Sequence, residues 1–212
     1  MGDAKDEFSL LFEQMRGGDR SAAALLISQQ RERLRRMIEL RLDPRLRGRL
    51  DTSDVLQDAI VDVASRLDEY LKDPKVPVFL WMRLVAGERL ARLHRHHLGF
   101  KMRDAGREVS LYRQALPEAS SFALASMLLG PQTSPTQAAV RAERQLRVQE
   151  ALNSLEPIDR EVLALRHFEH LNSAEVALVL GLKPDAASKR YIRALKRVKE
   201  QLAGMPGGLE AL

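Results

Sequence analysis

Residues 172–197 read NSAEVALVLGLKPDAASKRYIRALKR: a short apolar segment, a glycine, then a longer segment dense in Lys and Arg. Asn172 can accept a backbone N–H at a helix start, and Glu175, three residues on, can reach back to the Asn172 N–H. That spacing predicts a helix over Ser173–Leu180, stopped at Gly181, the residue best suited to a left-handed cap. Pro184 fits the first turn of a new helix, where its missing N–H is not needed. Ala177 and Gly181 put small residues where two helices cross. The second helix carries Lys189, Arg190, Arg193, Lys196, Arg197 and Lys199 against Asp185 and Glu200. This is the plan of a helix-turn-helix whose second helix enters a major groove.

Composition narrows the alternatives. The chain has 212 residues, enough for one large or two small domains, and its 45% hydrophobic content supports real cores. The net charge of +5 is modest, so local clusters matter more than the total. With no cysteine there is no disulfide and no thiolate metal site, which fits a reducing cytoplasm. The acidic start MGDAKDEFSLLF lacks a signal-peptide core, and the longest apolar run, 122–129, is far below the ~20 residues of a membrane span. A soluble cytoplasmic protein without membrane insertion is expected.

Charge alternates in blocks. Residues 31–50 hold Arg31, Arg33, Arg35, Arg36, Arg41, Arg45, Arg47 and Arg49. Residues 51–73 reverse the sign with Asp51, Asp54, Asp58, Asp62, Asp68, Glu69 and Asp73, and residues 83–107 are basic again. Such blocks suggest surfaces for different partners. Apolar positions predict helices throughout: Leu25, Leu26, Leu34, Ile38 and Leu42; then Val55, Leu56, Ala59, Ile60, Val63, Ala64 and Leu67; then Met82, Val85, Ala86, Leu90 and Leu93. No segment alternates with period two, so the fold class is all-α. Between about Met102 and Gln137, Pro117, Gly130, Pro131 and Pro135 mark a linker, with short helices over Ser110–Leu116 and Phe122–Leu129. Helix resumes near Thr136 and runs through Leu152, Pro157 opens another over Ile158–His167, and the tail AGMPGGLEAL is expected to fray.

Two separated segments resemble one family. LNSLEPIDREVLALRHFEHLNSAEVALVLGLKPDAASKRYIRALKRVKEQL resembles the promoter-binding region four of sigma factors of the sigma-70 type. DTSDVLQDAIVDVASRLDEYL, followed by FLWMRLVAGERLARLHRHH, is similar to their region two. With only these two regions and a short linker, the chain resembles the extracytoplasmic-function group over residues 8–202. The resemblance implies a region-two domain over 8–102, a linker over 103–135, a region-four domain over 136–203 and a tail over 204–212. It implies a factor that binds core RNA polymerase, recognises and melts promoter DNA, and starts transcription without being an enzyme. Two positions depart from the family: Glu88 stands where an asparagine is usual, and Asp185-Ala186-Ala187-Ser188-Lys189-Arg190 where Gly-Thr-Val-Lys-Ser-Arg is usual.

The candidate sites follow from both readings. Asp54, Asp58 and Asp62 stack at i, i+4 and i+8, and each like-charged pair weakens an isolated helix by about 0.2–0.5 kcal/mol. Such a stripe either faces a basic partner or is neutralised by Arg33, Arg36 or Arg41. The resemblance implies the first, with Gln57 on the same face, against the clamp helices of the largest polymerase subunit. In the next helix Arg92, Arg95 and His96 share a face with Glu88, flanked by Arg83 and Arg89. They can follow a phosphate backbone, with Phe79 and Trp81 either stacking on bases or filling the core. The alternative is a solvated face in which Glu88 pairs with Arg92. The resemblance adds the loop 72–78, with Lys72 and Lys75, as part of a pocket for a flipped minus-ten base.

On the second helix of the helix-turn-helix, Ser188, Lys189, Ile192 and Arg193 are expected to face a minus-thirty-five duplex, with Arg193 and Lys189 suited to guanine. Arg190, Lys196 and Arg197 suit phosphates. Ala187, Tyr191, Leu195 and Val198 are expected in the core. His94, His96 and His97 cannot point at one ion from one helical turn, and no cysteine completes a shell, so no metal and no cofactor are expected. No catalytic constellation is visible. The expected partners are core polymerase, through its clamp helices and flap, and promoter DNA, with an anti-sigma factor as a further one. The alternative is a stand-alone helix-turn-helix regulator whose first half senses a signal or dimerises.

Overall fold

Two aspartates frame the N-terminal half. Asp19 accepts from the backbone of Ser21 and Ala22 and starts α2 (Arg20–Arg41); Asp51 accepts from Ser53 N at 2.8 Å and starts α3 (Thr52–Lys72). Each carboxylate satisfies N–H groups that a helix start leaves open. Before them lies α1 (Asp3–Arg16), which the sequence patterns did not reveal, and after them α4 (Val78–Leu98). The computed structural model describes residues 3–98, 116–130 and 138–204; every regular element among them is helical.

The first four helices form a bundle in which α4 packs along α3 and both lie on α2. Val55, Leu56, Ala59, Val63 and Leu67 of α3 are buried, as are Met82, Val85, Ala86 and Leu90 of α4. The apolar stripes were thus legible, with two exceptions: Ala64 is exposed, and Leu25 is 49% exposed while its neighbour Leu26 is fully buried.

The C-terminal half is a second bundle. It contains α5 (Ser121–Leu129), α6 (Ala138–Asn153), α7 (Pro157–Leu163), α8 (Ser173–Leu180) and α9 (Pro184–Gly204). The expected helix at 110–116 lies outside the described residues apart from Leu116. The apolar segment 122–129 gains a physical role as α5: Ala123, Leu124 and Ala125 are buried in one cluster with Val148, Ala151 and Leu152 of α6. Its start is capped by Ser120, and Gly130 closes it at φ 69°, where a side chain would be strained.

The helix expected over 158–167 changes character midway. After Leu163 it widens into a π-helical turn, Ala164–Phe168, closed by Glu169 N donating to Ala164 O at 3.1 Å. His170 then takes a left-handed conformation, φ 54°, before the chain enters α8.

The two bundles share a core. Val162, Leu165, Leu171, Val176, Val179 and Leu180 belong to the same buried cluster as Leu34, Met37, Val85 and Leu90. Leu40 of α2 in turn sits in the cluster built by α5, α6 and α9.

Candidate nucleic-acid interface

The helix-turn-helix has the caps its sequence demands. Asn172 Oδ1 accepts from Ala174 N at 2.9 Å and Glu175 N at 3.0 Å, and Glu175 Oε2 accepts from Asn172 N at 2.8 Å. Gly181 is left-handed at φ 66°, ψ 37°. These fixed ends orient α9 against α8. Ser188, Lys189, Ile192 and Arg193 line one open surface of α9, with Ile192 63% exposed. Ser188 Oγ bonds Ser173 Oγ at 2.8 Å, tying this surface to the start of α8. Lys196 and Arg197 are exposed beyond it.

Two expectations for α9 need correction. Its buried contacts are Ala187, Ala194 and Leu202, with Tyr191 and Val198 partly covered; Leu195 is 43% exposed. The buried stripe therefore follows i, i+7 and i+15, a narrower face than the large side chains suggested. Arg190 does not point outward for a phosphate. Its Nη1 lies 2.7 Å from Asp159 Oδ1 and 3.3 Å from Glu156 Oε2, clamping α9 to α7. The Asp159 hydrogen bond raises the pKa of this guanidinium above its ordinary value.

The acidic and basic faces of the first bundle meet each other. Arg89 pairs with Asp58 and lies 3.9 Å from Asp62; Arg92 Nη2 reaches Asp62 Oδ2 at 2.7 Å. Glu88 turns to Arg66 at 2.7 Å rather than to Arg92. So the internal neutralisation considered for the acidic stripe exists, but its source is α4. Arg33, Arg36 and Arg41 face elsewhere. Asp54 and Gln57 are exposed at the front of α3, and Arg95 and His96 are exposed at the end of α4.

Below these pairs lies an open groove lined by Arg66, Tyr70, Lys75, Val76, Trp81 and Glu88. Tyr70 and Trp81 stack with centroids 4.5 Å apart, and Tyr70 Oη donates to Val76 O at 2.7 Å, holding the 73–77 loop. Burial pushes the Tyr70 phenol up to about 12, which keeps it a donor. Trp81 is half-buried on the groove wall, whereas Phe79 is core, with the Arg33 guanidinium 3.6 Å from its ring centroid. Lys72 is exposed, and Lys75 sits 3.0 Å from Asp73.

Arg83 leaves the basic face altogether. It is 2% exposed and joins Arg41 and two carboxylates from the other bundle. Arg83 Nε donates to Glu169 Oε2 at 2.6 Å, and Arg83 Nη2 lies 3.3 Å from Glu161 Oε1. Arg41 Nη1 is 2.6 Å from Glu169 Oε1, and Arg41 Nη2 pairs with Glu161. Glu161 Oε2 also accepts from Ala119 N at 3.1 Å. Burial alone would raise the Glu169 carboxyl, yet Arg41 and Arg83 outweigh it and hold the group below its usual range. Burial would lower the Arg41 pKa, and Glu161 with Glu169 reverses that. Sequence reasoning placed Arg83 on DNA and offered Arg41 to the acidic stripe of α3, and it missed Glu161 and Glu169. Among the described residues no His, Asp and Glu group could hold a metal ion, and no helix is long and apolar enough to cross a membrane.

Residues 145–198 match the family described as Sigma-70, region 4. The chain is 27% identical over 185 residues to the ECF RNA polymerase sigma factor SigD of Mycobacterium bovis and of Mycobacterium tuberculosis, covering 87% of this chain and 79% of theirs. It is 30% identical over 155 residues to the probable RNA polymerase sigma factor RfaY of Xanthomonas campestris pv. campestris, 71% of this chain but 34% of that protein. Among solved structures, CnrH in complex with the cytosolic domain of CnrY aligns with TM-score 0.49 and 21% identity, over 91% of this chain and 95% of that one.

Proposed function

We propose that this chain, which belongs to the extracytoplasmic-function group of sigma-70 factors and directs promoter recognition and transcription initiation, works through three faces, two of which meet on the first bundle. The capped helix-turn-helix carries the reading: it presents Ser188, Lys189, Ile192 and Arg193 outward on a helix fixed at both ends. These four read base edges of the minus-thirty-five duplex, with Lys196 and Arg197 on phosphates. Arg190 positions α9 through Asp159 and does not itself grip DNA.

On the first bundle, Lys72, Lys75, Arg89, Arg92, Arg95 and His96 follow the non-template strand of the minus-ten element, and the groove beside Trp81 and Glu88 takes an unpaired base. Binding single strands in preference to duplex shifts the equilibrium toward the melted state. Asp54, Gln57, Asp58 and Asp62 dock on the polymerase clamp helices, and the C-terminal bundle docks on the flap. The pairs Asp58–Arg89 and Asp62–Arg92 lie partly exposed and do not bar this reading. Exposed pairs are worth about 0.2–1 kcal/mol each, so they exchange readily: carboxylates to the polymerase, arginines to phosphate. RNA synthesis is the polymerase's chemistry, and this chain supplies recognition and strand capture in the cytoplasm. An anti-sigma factor is a further partner in this reading.

The test is binding of the holoenzyme to the non-template minus-ten strand and to the same sequence as duplex. The single strand is expected to bind more tightly, and Arg92→Ala with Arg95→Ala to reduce that preference. Equal affinity for both forms would leave only general phosphate attraction. Tight duplex binding by the chain without polymerase would favour the stand-alone regulator.

A further inference from the structure

The open face of α9 begins one turn before Ser188. Asp185 is the second residue of α9, and Ser188, Lys189 and Ile192 follow it at i+3, i+4 and i+7, so all four share one side of the helix. The backbone there is held: Pro184 opens the helix, Ala187 N donates to Lys183 O at 3.0 Å, and Leu182 N donates to Ala177 O at 2.9 Å. Ala187 is buried, which turns the Asp185 side away from the core. Asp185 is exposed, and among the described residues its carboxylate makes no hydrogen bond and no ion pair, even with Lys189 one turn on. A carboxylate here also departs from the glycine usual in the family.

The leading residues of a helix in the major groove are the ones that reach base edges. A carboxylate carried there loses water and lies between two phosphate backbones, so without a donor its place is unfavourable. The bases supply one. Adenine and cytosine each point an amine into the groove, whereas guanine and thymine point a carbonyl oxygen. The amine donates to a carboxylate and the carbonyl repels it, so a lone Asp separates amino from keto bases on the strand it faces. Lys189 has the opposite preference, since it donates to guanine. It lies four residues on, roughly 6 Å along the axis, or about two base pairs.

We propose that Asp185 is a specificity-determining residue: its carboxylate accepts from the exocyclic amine of a cytosine or adenine in the minus-thirty-five duplex and rejects guanine and thymine at that position. This rests on the reading of α9 as the helix that enters that groove. A carboxylate in a first turn also complements the helix dipole, but that role acts on stability and leaves base choice untouched.

The experiment selects duplexes from a pool randomised across the minus-thirty-five element, using holoenzyme made with wild type, Asp185→Asn or Asp185→Ala. Circular dichroism and a thermal melt of each free chain report folding. Wild type is expected to hold one position on one strand to cytosine or adenine, about fivefold over guanine or thymine. Both variants are expected to recover all four bases there and to keep the preferences at neighbouring positions. Both are also expected to bind a scrambled duplex about twofold more tightly, because a charge facing phosphates is gone. Unsubstituted purine for adenine, or 2-pyrimidinone for cytosine, removes the amine alone. At the selected position it should weaken wild type and leave Asp185→Ala unchanged, and it shows which base is used. Should Asp185→Ala lose helicity, the isosteric Asp185→Asn decides. A wild type without such a position, a preference that survives in both variants, or indifference to the missing amine would overturn the proposal. Variants that melt earlier but select as wild type would reduce Asp185 to a helix stabiliser and overturn it too. Selection with no preference at any position would show that α9 does not read this duplex, and the proposal would fall with that reading.

Discussion

Arg193, Arg197 and Arg190 lie within eight positions of one another on α9, yet the structure puts them in three different settings. Arg193 lies on the open surface with Ser188, Lys189 and Ile192, so under the proposed reading Arg193→Ala removes a base-edge contact. It should cost about 1–3 kcal/mol at the cognate minus-thirty-five site, roughly five- to 150-fold, and flatten discrimination between sites. Arg197 is exposed beyond that surface; Arg197→Ala should weaken cognate and scrambled duplexes alike and reduce the salt slope by about one. Between about 50 and 200 mM salt, its deficit against wild type should shrink about 3.5-fold. Arg190 is clamped to Asp159 and Glu156, and its side chain is 25% exposed. Arg190→Ala should leave the salt slope unchanged and destabilise the C-terminal bundle by about 1 kcal/mol. The assay is a salt titration of holoenzyme on both duplexes, with a thermal melt of each free variant. If Arg190→Ala reduces the slope as Arg197→Ala does, or if Arg193→Ala is uniform across sequences, the assigned face of α9 is wrong.

Other expectations follow from single contacts. Asp54→Arg with Asp58→Arg should weaken binding to core polymerase and leave helicity intact, because the exposed Asp58–Arg89 pair is worth under about 1 kcal/mol; collapse of the fold would make the stripe structural. His94 is buried and accepts from Asp43 N at 3.3 Å; burial lowers its pKa, with Asp43 partly offsetting this and Arg45 adding to it. Its neutral form is thus the folded one, so the stability it protects is full above pH ~6.5 and declines as pH falls below that. An NMR titration placing His94 at or above the ordinary histidine value of ~6.5 would contradict this. Gly87→Ala would set a Cβ 2.6 Å from two atoms of the Leu116 side chain. Crowding of about 1–3 kcal/mol should outweigh the ~1 kcal/mol helix gain, and a urea melt showing higher stability would mean Leu116 does not anchor on α4.

The recognition half was the most legible part of the sequence because its signals are local. Asn172, Glu175 and Gly181 act within a few residues, and the caps form as their spacing implies. The amphipathic stripes of α3 and α4 were legible for the same reason. Ion-pair partners were not, because pairing is decided by how helices cross. Asp58 finds Arg89 and Asp62 finds Arg92, thirty-one and thirty residues away. The buried Arg41–Arg83–Glu161–Glu169 quartet left one faint trace. Arg41 lies seven residues after Leu34, and Arg83 lies four after Phe79 and seven before Leu90, so both charges sit on apolar stripes. A charge in such a place needs a buried partner, but nothing local names Glu161 or Glu169. The π turn that delivers Glu169 has no clear sequence signature either, since ALRHF reads as ordinary helix.

The central claim is that one chain recognises a promoter through two faces on behalf of the polymerase. The most direct measurement adds the purified chain to core RNA polymerase on a template carrying its promoter, and on templates with either the minus-thirty-five or the minus-ten element scrambled. The account predicts transcripts from a fixed start that require the chain and fall when either element is scrambled. It also predicts that Arg193→Ala removes the dependence on the minus-thirty-five element alone. Transcription indifferent to the chain, or duplex binding by the chain that polymerase does not alter, would contradict it.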